Sequence, residues 1–192
     1  ARDFYYLTPE GRATLSLPRR RGSPRFLERI ATVYEVRNLF ISMQRAGLPV
    51  LRWQALTPSV QGVSLHGALL AVDGRQMAVE WDRGGRPTRL FRFRLRRVAA
   101  LAARTGMGLL VVAADEARGV SALSALAGHL DLQGPHLGLT TRAILATQGV
   151  PDAACYVPAI GDTLSLGGFV RGLPESREPV RLVSEGAMGF SG

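Results

Sequence analysis

Residues 68–104 read ALLAVDGRQMAVEWDRGGRPTRLFRFRLRRVAALAAR, and this stretch decides the predicted fold. Its first half alternates around Asp73-Gly74, a dipeptide that is typical of the tight turn in a β-hairpin. Because side chains alternate along a strand, Glu80 and Asp82 share one face of the second strand and Trp81 points to the other. We therefore expect Glu80 and Asp82 to project side by side from the end of a strand.

The second half of the stretch predicts a helix over residues 87–104 that is crowded with arginine. No acidic residue occurs from 83 to 114, and the arginines concerned are Arg83, Arg86, Arg89, Arg92, Arg94, Arg96 and Arg97. Helical spacing predicts that Arg89, Arg92 and Arg96 line an exposed edge, and that the side facing the sheet carries Leu90, Phe93, Val98, Leu101 and Ala102. An acidic pair followed by a cationic helix indicates a site that binds a polyanion.

The composition bounds the class of protein. The chain has 192 residues, a hydrophobic fraction of 46% and a formal net charge of +9, which suit one domain of ordinary size with nucleic acid as the first partner to consider. Every basic residue is arginine, which excludes a Schiff-base lysine and a Walker A loop. The single Cys155 precludes an internal disulfide and indicates a reducing, cytoplasmic location. No apolar run approaches the roughly 20 residues of a membrane span, so we expect no membrane partner.

The order of the predicted elements gives the fold class. The sequence predicts a helix over residues 26–46, a strand over 50–56 and a buried strand over 107–114. With the hairpin and the cationic helix, the order is αβββαβ, which predicts an α/β fold with a mixed sheet. This order is also that of the restriction-endonuclease-like core. Beyond it we expect a helix over 120–130, a short helix or edge strand over 139–147, and loops with a short strand over 150–169.

The N-terminal segment carries a second pattern. Residues 5–15 read YYLTPEGRATL, which resembles the Y-x-L-T-x-x-G-x-x-x-L ending of winged-helix DNA-binding domains. The alternative is a strand that packs on the main domain. The predicted organisation is the end of a winged-helix domain at 1–17, a basic linker at 18–25, a nuclease-like α/β domain at 26–170 and an irregular tail at 171–192.

Three segments together resemble a known family. They are YYLTPEG at 5–11, EVRNLFISMQRAGLPVLRWQ at 35–54 and LHGALLAVDGRQMAVEWDRG at 65–84, followed by the basic helix. The chain resembles the replication-relaxation family of plasmid and mobile-element proteins, which join a winged-helix domain to a nuclease-like domain. The resemblance implies a role in plasmid replication or DNA relaxation, with DNA and other replication or mobile-element proteins as partners.

The acidic pair departs from the pattern of nuclease-like cores. Such cores place an Asp before the hairpin and Asp/Glu-x-Lys on the next strand, so that two carboxylates hold Mg²⁺ and the lysine orients water. Here the two positions read Leu65-His66-Gly67 and Glu80-Trp81-Asp82, so a carboxylate is missing and the lysine position carries the opposite charge. His66, Glu80 and Asp82 remain candidates for a degenerate catalytic or metal site. The alternative is an ion pair between Glu80 and one of the arginines Arg83, Arg86 and Arg89.

Three functions follow from these patterns. The favoured hypothesis is a non-catalytic DNA-binding protein without a cofactor, whose phosphate contacts come from Arg19, Arg20, Arg21, Arg83, Arg86, Arg89, Arg92, Arg96 and Arg97. The first alternative is a Mg²⁺-dependent nuclease that uses Glu80 and Asp82. The second is a protein-interaction scaffold, in which the apolar C-terminal half forms a homo-oligomer or partner surface.

Overall fold

A computed structural model describes residues 24–57, 62–71, 73–127 and 137–176, with the backbone alone for 24–27. The chain divides into two compact units, residues 1–31 and 32–192. The described part of the first unit is the beginning of helix α1. The predicted winged-helix segment at 1–17 and the arginines Arg19, Arg20 and Arg21 lie outside the described residues, as does the chain after residue 176.

The described residues form five helices and seven strands. Their order is α1 (Pro24–Arg45), β1 (Val50–Ala55), β2 (Gly67–Ala71), β3 (Gln76–Trp81), α2 (Thr88–Thr105), β4 (Gly108–Ala113), α3 (Glu116–Leu126), β5 (Leu137–Thr141), α4 (Arg142–Gln148), β6 (Ala154–Val157), β7 (Asp162–Ser165) and α5 (Leu166–Arg171). Helix α1 therefore begins inside the stretch predicted as a linker. None of these helices combines the length and the apolar character that a membrane-spanning segment needs.

The strands form one seven-stranded sheet in chain order, from β1 at one edge to β7 at the other. The pairs β1–β2 and β2–β3 are antiparallel, β3–β4 and β4–β5 are parallel, and β5–β6 and β6–β7 are again antiparallel. Because β3, β4 and β5 run in the same direction, their carboxyl ends meet at one edge of the sheet, where α/β proteins commonly bind ligands.

Helices cover both faces of the sheet. Helices α2 and α3 pack on the face that carries Ala78, Leu109 and Val111, and this core excludes water almost completely. Helices α1 and α5 pack on the opposite face, which carries Val79 and Leu110. The central strands β3 and β4 are buried along their whole length, as expected for strands that are covered on both sides.

The predicted fold class is confirmed, since the structure is a mixed α/β sheet with helices packed against it. The order αβββαβ holds from α1 to β4, whereas a kinship with restriction endonucleases remains a prediction. After β4 the sequence was less informative. Residues 150–169, predicted as loops with one short strand, contain two strands, which form the β6–β7 hairpin, and the start of α5. These strands have four residues each, too few to show a clear alternation.

The rotational setting of α2 differs from the prediction. Leu90 and Phe93, predicted to face the sheet, are 56% and 61% exposed. The buried side of the helix instead carries Phe91, Leu95, Val98, Ala99, Leu101, Ala102 and Thr105. The prediction was wrong for Leu90 and Phe93, whereas Val98, Leu101 and Ala102, which were also predicted to face the sheet, are buried. Arg94 lies on the inward side, between Phe91 and Val98, where a buried carboxylate accepts its hydrogen bonds.

Candidate functional site

Glu80 is held by an arginine of the helix that covers it. Its side chain is 1% exposed, and it accepts hydrogen bonds from Arg94 Nε to Oε1 at 2.5 Å and from Arg94 Nη2 to Oε2 at 2.9 Å. Arg94 Nη2 also donates to the carbonyl of Ser64 at 2.8 Å. The two parallel bonds are the geometry in which guanidinium and carboxylate interact most strongly. The predicted ion pair of Glu80 therefore exists, but its partner is Arg94 and not Arg83, Arg86 or Arg89.

Asp82 has its own guanidinium, supplied by the first turn of α3. Arg118 donates from Nε to Asp82 Oδ2 at 2.6 Å and from Nη2 to Oδ1 at 2.9 Å, and both side chains are buried. Arg118 also donates from Nη1 to Thr88 Oγ1 at 3.1 Å, and its guanidinium lies over the Phe91 ring, 4.4 Å from the centroid. The hydrogen bonds that Arg118 donates to Asp82 raise the pKa of Arg118, so its guanidinium stays charged.

His66 lies beside Glu80 but does not form a salt bridge with it. The backbone N–H of Trp81 donates to His66 Nδ1 at 3.0 Å, so Nδ1 carries no proton in this arrangement. The approach of His66 Nδ1 to Glu80 Oε1, at 3.3 Å, is then a contact between two acceptors. Burial lowers the pKa of His66 to about 4, assisted by the charges of Arg94 and Arg86 and opposed by those of Glu80 and Asp82. His66 is therefore neutral at neutral pH.

A magnesium ion of the kind implied by the nuclease-like resemblance does not fit these residues. The structure brings His66 and Glu80 together and places Asp82 two residues along the same face, as predicted. However, all four carboxylate oxygens already accept hydrogen bonds from guanidinium groups. Within the described ranges, no three His, Cys, Asp or Glu residues are grouped so that they could hold a metal ion. The acidic pair is a buried ionic network that joins β3 to α2 and α3.

A second ionic network lies on the other face of the sheet, around Glu35 of α1. Glu35 Oε2 accepts a hydrogen bond from the indole of Trp81 at 2.6 Å, and Oε1 accepts one from Arg142 Nη2 at 3.0 Å. Arg83 Nε lies 3.4 Å from Glu35 Oε2 without donating a hydrogen bond to it. Arg83, predicted to contact phosphate, is thus placed against a carboxylate.

Four of the remaining predicted arginines lie outside these two networks. Arg89, Arg92, Arg96 and Arg97 form the outer side of α2 and are called here the α2 arginine face. Among the described residues, none of the four is in a salt bridge with a carboxylate. Arg89, Arg96 and Arg97 are exposed and Arg92 is half-buried. Arg86 precedes the helix and is half-buried near His66, so we do not include it in this face.

Within the described residues, three arginines of this face each donate one hydrogen bond. Arg92 Nη2 donates to Ser124 Oγ at 2.5 Å, Arg96 Nε to the carbonyl of Ala125 at 3.2 Å, and Arg97 Nη2 to the carbonyl of Gly62 at 2.7 Å. A guanidinium has five N–H donors, so one such bond restrains its position and leaves further donors for a ligand at Arg96 and Arg97, whereas Arg92 Nε is buried.

Sequence reasoning missed the arginine partners of the acidic pair. Arg118 lies 36 residues from Asp82 along the chain, and nothing in the local pattern connects them. The sequence held one signal of these partners. Arg118 lies in the first turn of α3 and Arg142 is the first residue of α4. The helix dipole disfavours a cation at the N-terminal end of a helix. An arginine in such a position indicates a nearby carboxylate.

Comparison of the chain with protein-family models, with curated proteins and with solved structures finds no match to any of them.

Proposed function

We propose that this chain binds DNA through the α2 arginine face and does not cleave it, as a protein of the replication-relaxation type that acts on plasmid or mobile-element DNA in the cytoplasm. The observation that supports the proposal is the separation of the arginines into two sets. Arg94 and Arg118 neutralise buried carboxylates, whereas the α2 arginine face has no carboxylate partner among the described residues.

Phosphate is the ligand that suits this face. Arginine stays charged at every physiological pH and makes bidentate hydrogen bonds to phosphate oxygens. The four groups follow one another along a helix, and no acidic residue occurs from 83 to 114 to repel a polyanion. Contacts of this kind carry no sequence information, so the proposed binding depends on charge and little on base sequence.

Cleavage is not part of the proposal, because a nuclease needs carboxylates that can hold a metal ion. Glu80 and Asp82 are each engaged by two guanidinium nitrogens. Protein partners and self-association remain predictions.

The proposal is tested by measuring duplex binding as a function of salt. With four phosphate contacts, log K is expected to fall against log salt concentration with a slope of about −3.6, or roughly 150-fold between 50 and 200 mM. We expect the triple variant Arg89→Gln/Arg96→Gln/Arg97→Gln to bind more weakly and to reduce the magnitude of the slope by about 2.7. Fluorescence anisotropy with a labelled duplex of mixed sequence measures both quantities.

A matched control separates a local face from overall charge. Arg37, Arg45 and Arg52 are exposed on α1 and β1, and α1 packs on the opposite face of the sheet from α2. The variant Arg37→Gln/Arg45→Gln/Arg52→Gln loses the same three charges and is expected to keep the wild-type slope. Equal loss in both variants, or an affinity that does not change with salt, would contradict the proposal.

A further inference from the structure

An aromatic ring stands in the middle of the α2 arginine face. Phe93 is 61% exposed, although α2 has a fully buried side that could have received an aromatic residue. Leu90, one turn before it, is 56% exposed. Because hydrophobic stabilisation is proportional to the apolar area removed from water, these two exposed side chains contribute little to the core of the fold.

The arginines surround this ring on the helix surface. Arg89 is four residues before Phe93, and Arg96 and Arg97 are three and four residues after it, which places them on the same side of the helix. The guanidinium of Arg97 lies 5.9 Å from the centroid of the Phe93 ring, within the range of a cation–π contact. A cleft of about 530 Å³ is lined by Thr88, Arg89, Arg92, Phe93 and Arg96.

An exposed ring among cations matches unpaired nucleotides better than duplex DNA. In a duplex the bases are stacked on one another and present phosphates and groove edges, which a phenyl ring recognises poorly. In a single strand each base has an accessible π-face, which can stack on an aromatic side chain while arginines contact the phosphates on either side. A protein partner for this face would need a dense cluster of carboxylates and an apolar group together; an unpaired nucleotide carries both the charge and the planar apolar face.

We infer that the α2 arginine face takes single-stranded DNA, with one unpaired base stacked on Phe93 and its neighbouring phosphates held by Arg89, Arg96 and Arg97. This inference rests on the proposed DNA binding and specifies the form of DNA. The cleft has a volume within the range of about 300–1,000 Å³ that accommodates small ligands, so it is large enough for a base.

The test separates the base from the phosphates. The probes are a labelled oligo(dT), an oligomer of abasic sites with the same number of phosphates, and a duplex of the same length, each measured by anisotropy at fixed salt. Wild-type protein is expected to bind oligo(dT) about tenfold more tightly than the abasic oligomer. The variant Phe93→Leu keeps an apolar side chain and removes the π-face, so it is expected to lose this preference while duplex and abasic affinities stay within twofold.

The variant Phe93→Trp restores an aromatic surface and is expected to restore the preference for oligo(dT). Because Phe93 is exposed, unchanged circular dichroism and melting temperature are expected for both variants. The inference is overturned if the Phe93→Leu protein retains the preference for oligo(dT), or if it loses duplex and single-strand affinity equally. In either case, duplex binding that depends on salt still supports the proposed function. Failure to bind any of the three probes overturns both.

Discussion

The ion pair between Glu80 and Arg94 offers a direct test of whether the acidic pair is structural. We consider Arg94→Met, which keeps an unbranched apolar stem and removes the guanidinium, Glu80→Gln, which keeps the shape of the carboxylate, and the double variant. In Arg94→Met the Glu80 carboxylate, at 1% exposure, loses both of its guanidinium hydrogen bonds. In the double variant no uncompensated charge remains buried.

The expected magnitudes follow from this geometry. Removing one member of a buried ion pair costs about 3–5 kcal/mol, because the other charge stays in a poorly solvated site. The Arg94 side chain is 23% exposed, so water can partly replace it, and we expect Arg94→Met to lower the free energy of unfolding by about 3 kcal/mol. For a protein of this size that is a fall in melting temperature of roughly 6–12 °C. The double variant is expected to lose about 2 kcal/mol less than the sum of the single variants.

Urea denaturation followed by circular dichroism measures these free energies, with Arg89→Met as the control. Arg89 lies on the same helix and is exposed, so its loss is expected to change stability by less than about 0.5 kcal/mol and to weaken DNA binding instead. A fully additive double variant, or an Arg94→Met protein as stable as wild type, would refute the structural role. A rise in the melting temperature of wild-type protein with millimolar Mg²⁺, absent in Glu80→Gln, would instead identify Glu80 as a metal ligand.

Two further predictions concern His66 and Gly67. Because burial lowers the pKa of His66 from 6.5 to about 4, the unfolded chain binds a proton more readily than the folded one, so stability should fall by about 3 kcal/mol as the pH decreases from 6.5 to 4. In the variant His66→Asn, the amide oxygen can replace Nδ1 as the acceptor, so this loss of stability at low pH should be absent. Urea unfolding of the two proteins between pH 4 and 8 measures the difference. If the free energy of unfolding depends on pH in the same way in both proteins, the prediction is wrong. A Cβ at Gly67 would lie 2.5 Å from Val36 Cγ1 and 2.9 Å from the Phe40 ring, so Gly67→Ala should cost about 1–3 kcal/mol, partly recovered with Val36→Ala. An undiminished melting temperature in Gly67→Ala would show that α1 can shift away from the sheet.

Periodicity along the chain was sufficient to predict the type and the order of the helices and strands up to β4. The Asp73-Gly74 turn, the alternation in β3 and the apolar run of β4 each report a local preference, and the structure has the corresponding strands in the expected order. The sequence did not indicate an irregularity in β1, where the register shifts between Val50 and Arg52 and Leu51 is exposed. A bulge changes which side chains face the core without leaving a clear signature in the sequence.

The sequence by itself determined that the chain forms a mixed α/β sheet and carries an arginine-rich helix after an acidic pair. It could not determine which arginines pair with the buried carboxylates. That choice depends on the rotation of α2 and on Arg118 of α3, which contacts Asp82 although the two residues are 36 positions apart in the chain. Only the tertiary structure brings these groups within hydrogen-bonding distance. A buried carboxylate is costly without a partner, so the fold turns Arg94 inward toward Glu80, and the same rotation exposes Phe93 with the α2 arginine face.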